Sequence, residues 1–174
     1  MTESLATEDL RRELHSLLRE GEEEALRIFL RLVRPEDVAD WLELLSGDDR
    51  QRIVDALDHE AAGTVLSDAS APIRSELVDD IEPERLARIA ESMPADDAAD
   101  LIGELEDHES ERVLHHISDE DEEVLRGLLS YDEDTAGGIM NPEVVALPET
   151  ATVDDAISHL RGAEPDTVTA ALYV

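Results

Sequence analysis

Residues 41–57, WLELLSGDDRQRIVDAL, contain two apolar clusters set twelve positions apart. The members of the two clusters are Trp41, Leu42 and Leu45, followed by Ile53, Val54 and Leu57. Offsets of three and four residues place each cluster on one face of an α-helix. Ser46 and Gly47 lie between the clusters, where a helix start is typical, because serine is a favoured N-cap residue. The stretch therefore predicts two short helices rather than one long helix.

The same spacing continues through the middle of the chain. One series of apolar residues is Leu45, Leu57, Ala69, Ile81, Met93, Leu105, Ile117 and Leu129. A second is Leu42, Val54, Leu66, Val78, Ala90, Ile102 and Leu114, broken at Arg126. A third is Trp41, Ile53, Val65, Leu77, Ile89, Leu101, Val113 and Leu125. A fixed period of this kind indicates a repeat architecture.

Helix starts recur along the chain at the same interval. Candidate N-caps are Ser46, Asp58, Ser70 and Ser118, and candidate first-turn prolines are Pro35, Pro72 and Pro83. Units of about nine helical residues are only about 13 Å long, which is too short for a helix to be stable alone. Three long helices are excluded as an alternative, because prolines and a glycine interrupt them. Each helix must therefore bury its apolar face on its neighbours.

Two further helices, over residues 8–19 and 22–32, precede the repeat and are separated by Gly21. The prediction is an all-α superhelical stack of about ten short helices through Tyr131, resembling an α-solenoid and arranged as five antiparallel hairpins. After residue 141 the pattern changes. Residues 144–147 and 167–174 favour strands, and a helix opening at Thr152 lies between them, which predicts a β-α-β segment.

The charge limits the classes of function. The chain has 46 acidic and 14 basic residues, a net charge of −32, and every basic residue other than histidine is arginine. Regular apolar spacing argues against disorder and favours a halophilic cytosolic protein, whose self-repulsion molar salt would screen. The absence of a basic stripe argues against nucleic acid. The absence of cysteine excludes thiolate chemistry, and no apolar run is long enough to enter a membrane.

Residues 131–148, YDEDTAGGIMNPEVVALP, resemble the junction in MgtE-type magnesium channels where a helical N domain meets a pair of CBS domains. REGEEEALRIFLRLV (19–33) is similar to that family's first hairpin, and PEDVADWL (35–42) and PADDAADLI (94–102) are similar to its repeated P-x-D-x-A-D element. The resemblance implies an MgtE N domain at residues 1–131, a hinge at 132–141 and an incomplete first CBS domain at 142–174.

The resemblance also implies a function. In that family the N domain is a magnesium-sensing regulatory domain on the cytoplasmic face of the cell membrane, and magnesium bound between it and the CBS domains keeps the pore closed. The implied partners are the CBS and pore domains of the same channel, with a homodimer in the full protein. The implied cofactor is a weakly bound, regulatory Mg²⁺. The family's N-domain ligands carry over to Asp96 and Asp100, with Asp97 beside them.

The candidate ion site also has a simpler interpretation. Asp96 and Asp100 lie four residues apart and share one helix face, but acids in the first turn are also favoured by the helix dipole. Asp37 and Asp40 form the equivalent pair in the earlier repeat. A family glutamate would fall near Gly63 or Thr64, and neither residue supplies a carboxylate.

Other functions have less support in the sequence. A halophilic α-solenoid adaptor that binds another protein is the alternative, with the junction serving as a linker. The adjacent histidines His115 and His116 diverge on a helix, so one metal ion does not readily bind both. Gly137-Gly138 lacks the Lys and Ser/Thr of a phosphate-binding loop and is better interpreted as a hinge. No catalytic motif is present, and we expect no enzymatic activity.

Overall fold

The computed structural model describes residues 2–132, 135–138, 140–142, 147–148 and 150–162. These residues form helices and connections, with no β-strand among them. The helices are α1 (Thr2–Glu20), α2 (Glu23–Leu30), α3 (Pro35–Leu42), α4 (Gly47–Ala56), α5 (His59–Asp68), α6 (Ala71–Asp79), α7 (Pro83–Ala90), α8 (Ala95–Gly103), α9 (Asp107–Leu114), α10 (Asp119–Leu129) and α11 (Val153–Gly162). The prediction of ten short helices before Tyr131 is confirmed, although α1 is longer than expected.

The predicted helix starts are confirmed with one difference in detail. The side chains of Ser46, Asp58 and Ser118 accept hydrogen bonds from backbone N–H groups three residues later. Ser70 occupies the N-cap position of α6, but its side chain makes no capping hydrogen bond. Prolines begin α3 and α7, where the missing N–H costs nothing because it would have no partner in the helix. The N-cap residues and first-turn prolines identified in the sequence therefore mark where the helices begin.

One continuous core runs through the stack from Leu14 to Leu128. All members of the three twelve-residue series are buried or packed against this core as partly buried residues. Trp41 is buried, as expected of a core residue. Arg126, which interrupts one series, remains at the surface and pairs with Glu111 and Glu122. The apolar spacing therefore identified the core correctly.

The packing partners differ from the predicted hairpins. The closest packing joins alternate helices, as in α3 with α5, α5 with α7, α7 with α9 and α8 with α10. Among chain neighbours in the described residues, α1 packs extensively on α2, whereas α8 makes only small contacts with α7 and with α9. The five-hairpin arrangement is thus corrected. Each stripe has two adjoining apolar residues and a third one turn away, which is wide enough to contact helices on two sides and lets alternate helices share one core.

Arginines connect successive layers of the stack. Arg52 Nη1 donates to the Leu18 carbonyl at 2.7 Å, and Arg52 Nη2 donates to Glu23 Oε1 at 2.6 Å. Arg85 makes the same double contact, with Nη2 2.6 Å from the Val54 carbonyl and Nη1 pairing with an acid of α4. Each guanidinium thus satisfies a carbonyl at a helix C-terminus and neutralises an acid. These two arginines therefore join helices of successive layers.

Beyond α10 the described residues include a turn and α11. The predicted helix after Thr152 is confirmed, since Thr152 Oγ1 accepts from the Asp155 N–H at 3.3 Å and Asp155 Oδ2 accepts from the Thr152 N–H at 2.9 Å. The predicted strand at 167–174 lies outside the described residues, as do residues 144–146 of the other predicted strand. In the part of the chain that is described, no helix combines the length and apolar character needed to cross a bilayer.

Candidate functional site

The first turn of α8 places three aspartates close together. Pro94 precedes the helix, and Asp96 and Asp97 occupy its second and third positions. Asp100 follows on the next turn. Ala98 and Ala99 are buried beneath these acids, because α8 packs against α10 and α5. The helix is therefore fixed by its alanine face, and its acidic face is held at the surface of the stack.

Asp97 and Asp100 line a cavity of about 330 Å³. Its other polar walls come from Arg74 of α6 and from Glu104, the residue that follows α8. Met93 and Leu101 supply its apolar surface, and Ser67 completes the lining. The cavity therefore brings together groups from helices α5, α6 and α8 that are up to 37 residues apart in the sequence.

Arg74 neutralises one of these acids. Its Nε donates to Glu104 Oε2 at 2.9 Å, and its Nη2 donates to Glu104 Oε1, giving a two-point contact. Its Nη1 donates to the Ser67 carbonyl at 3.4 Å. The hydrogen bonds to Glu104, together with the nearby Asp100 and Asp97, hold the pKa of Arg74 above its usual value. Because Glu104 is already paired, Asp97 and Asp100 remain as the acids free to bind a cation.

Asp97 lies among more negative than positive groups. Burial raises the pKa of Asp97, and the neighbouring Asp96, Asp100 and Asp68 raise it further, while Arg74 opposes them. One arginine therefore does not compensate the charge around Asp97. A cation beside this carboxylate would remove the repulsion, so the cluster has the electrostatics of a cation site.

Asp96 has a different environment from the one expected. It does not line the 330 Å³ cavity, which contains Asp97 and Asp100 instead. Its Oδ1 is buried and has no hydrogen-bond partner among the described residues. A buried carboxylate oxygen normally has a hydrogen-bond partner. An unpartnered Oδ1 is therefore what a carboxylate that binds a cation would show when the cation is absent. The sequence predicted that Asp96 and Asp100 share a face, whereas the cavity brings together positions three apart.

The described residues do not supply a metal centre alone. Within them, no three His, Cys, Asp or Glu side chains come together in a way that would hold an ion. Gly63 of α5 adds no ligand, because it has no side chain and packs tightly against the apolar Met93. A Cβ atom at Gly63 would lie 2.6 Å from Met93 Cγ. The position near which the family glutamate was expected is therefore closed to a larger side chain.

Sequence reasoning missed three members of the cluster: Arg74, Glu104 and Asp68. Glu104 could have been found, since it follows Asp100 by four residues and extends the same helical row. Arg74 carries a weaker signal, since it lies two twelve-residue units after Arg50, which likewise pairs with an acid of a later helix. The proximity of Asp68 to the cluster depends on how α5 packs on α8, and no local pattern shows it.

Asp100 also lines a second cavity, of about 620 Å³, that reaches the junction after α10. Tyr131 and Gly138 lie among its walls. Gly137 sits directly against the Tyr131 ring, and a Cβ atom there would be 2.5 Å from Tyr131 Cδ1. The first glycine of the pair is therefore required for close approach to an aromatic ring. Asp100 therefore lies in the walls of both cavities and links the acidic cluster to the junction after α10.

The remaining candidates stay apart from this cluster. Asp37 and Asp40 lie on α3, with Asp37 half-buried and Asp40 exposed. His115 and His116 are exposed, with ring centroids 6.0 Å apart and ring planes tilted by 58°. Neither pair lines either of the two cavities described above.

Comparison with known proteins agrees with this fold. The family model described as the MgtE intracellular N domain matches residues 33–134. The magnesium transporter MgtE of Thermus thermophilus is 32% identical over 159 residues, which cover 90% of this chain and 35% of that protein. The chain thus spans about a third of the length of this curated relative.

Two solved structures share the fold. One, described as the cytosolic domain of the Mg²⁺ channel MgtE in complex with ATP, has a TM-score of 0.82 and 31% identity, and the match covers 91% of this chain and 65% of that one. The other, described as the soluble part of a magnesium transporter, has a TM-score of 0.74 and 22% identity, covering 90% and 62%. At this identity the second likeness shows the fold alone.

Proposed function

This chain belongs to the family of MgtE intracellular N domains, and from that membership we propose that it is the cytosolic regulatory domain of a magnesium channel or transporter. Its role is to sense magnesium and to control a pore that lies elsewhere in the same assembly. The observation that carries the proposal is the uncompensated negative charge around Asp97, located on the helix that the sequence matched to the family's ligand element. This role requires no catalytic group, and we propose none.

The ligands that this chain would supply are Asp96, Asp97 and Asp100. The buried, unpartnered Oδ1 of Asp96 and the raised pKa of Asp97 support this assignment. Magnesium prefers six oxygen ligands and usually takes one or two carboxylates while it keeps several waters. Because the described residues do not complete a site, the other ligands come from partner domains. Binding to this chain alone is therefore weak.

The sensing step follows from electrostatics. At low magnesium the acids around Asp97 repel any acidic surface that approaches them. A divalent cation shared between the two surfaces reverses this repulsion and favours the docked arrangement. The ion shifts the balance only by its difference in affinity for the docked and separated forms. Shared ligation supplies that difference, because only the docked form offers both sets of carboxylates.

We propose the domain division that the sequence resemblance implies, and the family match to residues 33–134 supports its first part. We assign residues 1–131 to the N domain, 132–141 to a hinge and 142–174 to the start of a first CBS domain. The partners are then the CBS and pore domains of the same channel, with a homodimer in the full protein, at the cytoplasmic face of the membrane. The net charge of −32 supports a halophilic cytosol as the setting.

Magnesium titration of this chain in molar KCl tests the ion site, because diffuse attraction to the acidic surface is screened there. We expect weak saturable binding, with a dissociation constant on the order of millimolar or higher, since few carboxylates are available. The Asp97→Asn, Asp100→Asn double variant should lose this binding, and the Asp96→Asn variant should weaken it. Chemical-shift changes confined to α8 would locate the ion.

The matched control is the Asp37→Asn, Asp40→Asn double variant, which removes two acids at the same spacing from α3. It should bind magnesium as the unmodified chain does. Equal affinity in all the variants would contradict the site. Repeating the titration on a protein extended by its CBS region should give tighter binding, and equally weak binding there would contradict the shared-ligand role.

A further inference from the structure

The charge of this chain is unevenly distributed. The first 34 residues contain six arginines and eight acids, whereas the other 140 contain eight arginines and 38 acids. Residues 25–35 contain no acid at all, the longest such stretch in the sequence, and three of them are arginines. A nearly neutral end with a local basic segment thus precedes a strongly acidic body.

Helix α2 and the turn after it carry apolar residues on two opposite faces. Leu26, Leu30 and Val33 are buried against the core. On the other face Ile28 is 56% exposed and Leu32 is 81% exposed, although one apolar face is enough to hold a helix in the stack. The outer face therefore exposes apolar area that the core does not explain.

Two arginines flank this outer face. Arg27 and Arg31 lie one turn apart, as do Ile28 and Leu32, so the four side chains form one surface, which we call the α2 face. Arg27 pairs with Glu24 of the same helix at 3.4 Å. Arg31 has no ion-pair partner among the described residues. The α2 face is therefore apolar and carries the positive charge of Arg31, beside the ion pair that Arg27 forms with Glu24.

A surface of opposite charge lies on α10, the last helix of the repeat. Helix α10 begins with five consecutive acids, residues 119–123. Two of these acids already have partners within the helix, because Asp121 accepts a hydrogen bond from Ser118 and Glu122 forms an ion pair with Arg126. Glu120, Glu123 and Val124 lie three and four positions apart on an exposed face, and Val124 is 38% exposed. We call these three residues the α10 face.

The two faces do not meet within one molecule, because α2 packs on α1 and α4 whereas α10 packs on α8. An anionic bilayer is a poor occupant of the α2 face, since a body with a charge of −32 is repelled by it. The complementary charge on this chain itself, beside an exposed apolar residue, argues for a second copy. Terminal units of repeat stacks usually have a polar outer face, whereas the α2 face has two exposed apolar side chains.

We propose that the α2 face of one copy docks on the α10 face of another, pairing Arg27 and Arg31 with Glu120 and Glu123 around a contact of Ile28 and Leu32 with Val124. The contact is head-to-tail, so it produces rings or short filaments rather than only dimers. It is small, so the association is weak, with a dissociation constant on the order of 100 µM or higher.

Sedimentation velocity over a range of protein concentrations measures this association. A KCl concentration of about 0.3 M is suitable, because the Debye length is then roughly 5–6 Å, long enough to leave a close ion pair effective while screening the repulsion of the whole molecule. The Arg27→Glu, Arg31→Glu variant should weaken association at least about tenfold, since two attractions become two repulsions. The Glu120→Arg, Glu123→Arg variant should weaken it similarly.

Mixing the two charge-reversed variants provides the decisive measurement, because together they restore the opposite pairing and should associate as the unmodified chain does. The Arg88→Glu, Arg112→Glu variant is the control, with the same charge change at two exposed arginines on α7 and α9. It should associate normally. Circular dichroism checks that each variant is folded at this salt concentration.

The Ile28→Ser, Leu32→Ser variant tests the apolar part at any salt concentration, because both side chains are exposed and the core does not depend on them. It should abolish association. A monomer at all concentrations, a dimer as the largest species, or no recovery on mixing the reversed variants would overturn the proposal. Association that the control variant weakens equally would overturn it as well.

Discussion

Asp97 has an unfavourable electrostatic environment on α8. Burial raises its pKa first, and three neighbouring aspartates raise it further. The third position of a helix normally favours a carboxylate through the helix dipole. Here burial of the carboxylate, together with the local repulsion, outweighs that benefit. The residue is thus ionised at a cost to stability, as is common at sites arranged for a ligand.

We predict that Asp97→Asn stabilises the unliganded domain at pH 7 by about 0.5 kcal/mol, the scale of like-charge pairs on a helix. The folded-state pKa of Asp97 lies above its usual value of 3.8. The stability linked to its protonation is therefore complete below that value and is lost as the pH rises through the folded-state pKa. The variant and the unmodified chain should differ at pH 7 and converge below about pH 4.

Chemical denaturation at both pH values measures the difference. Asp37→Asn is the control, because Asp37 occupies the same third position in α3 but is not among the charges that act on Asp97. It should lose a few tenths of a kcal/mol of dipole stabilisation. A destabilising effect of Asp97→Asn at pH 7 would contradict this account of the cluster.

At the scale of the helices, stability depends on how each short element ends. The N-caps of α6 and α10 have the same residue type but different contacts. Ser118 Oγ accepts from the Asp121 N–H at 3.3 Å and donates to Asp121 Oδ2 at 2.7 Å. Ser70 makes no side-chain capping bond. A serine at the N-cap position therefore stabilises α10 more than it stabilises α6.

We predict that Ser118→Ala lowers the free energy of unfolding by about 1 kcal/mol, the typical value of a serine N-cap. Ser70→Ala should change it by less than about 0.3 kcal/mol, because no capping bond is lost. Urea denaturation of the two variants makes the comparison directly. Equal losses in the two variants would contradict this difference between the two caps.

At the scale of the whole molecule, the acidic surface opposes the compact state. Its net charge is −32, and arginines that join helices, such as Arg50, Arg74 and Arg85, each pair with only one acid. Self-repulsion falls when salt screens it. We predict that the melting temperature rises by about 10 °C or more between 0.05 M and 3 M KCl. Thermal melts followed by circular dichroism measure this rise.

Sodium sulfate provides a second comparison, since it also strengthens apolar burial. A rise that occurs in sulfate but not in chloride would assign the effect to burial rather than to charge. Equal melting temperatures at low and high KCl would contradict a halophilic setting and would leave the family membership unchanged.

The sequence by itself determined the helices, their starts and the buried face of each. These features are local: the spacing of Trp41, Leu42 and Leu45 sets a helical stripe, and serine, aspartate and proline set the first turns. The family resemblance pointed to Asp96 and Asp100 of α8, and the helical period places these two acids one turn apart. The helix after Thr152 was also found from a local signal, an N-cap threonine followed by acids in the first turn.

Only the tertiary structure decided which helices touch and what surrounds the acids. The apolar face of a helix does not specify which helix packs on it. Packing between chain neighbours and packing between alternate helices were therefore equally compatible with the twelve-residue period. The pairing of Arg74 with Glu104, and the place of Asp97 rather than Asp96 beside Asp100 in the cavity, depend on how α5, α6 and α8 are packed. Contacts between residues 30 positions apart are set by the packing of the whole stack, and no local pattern encodes them.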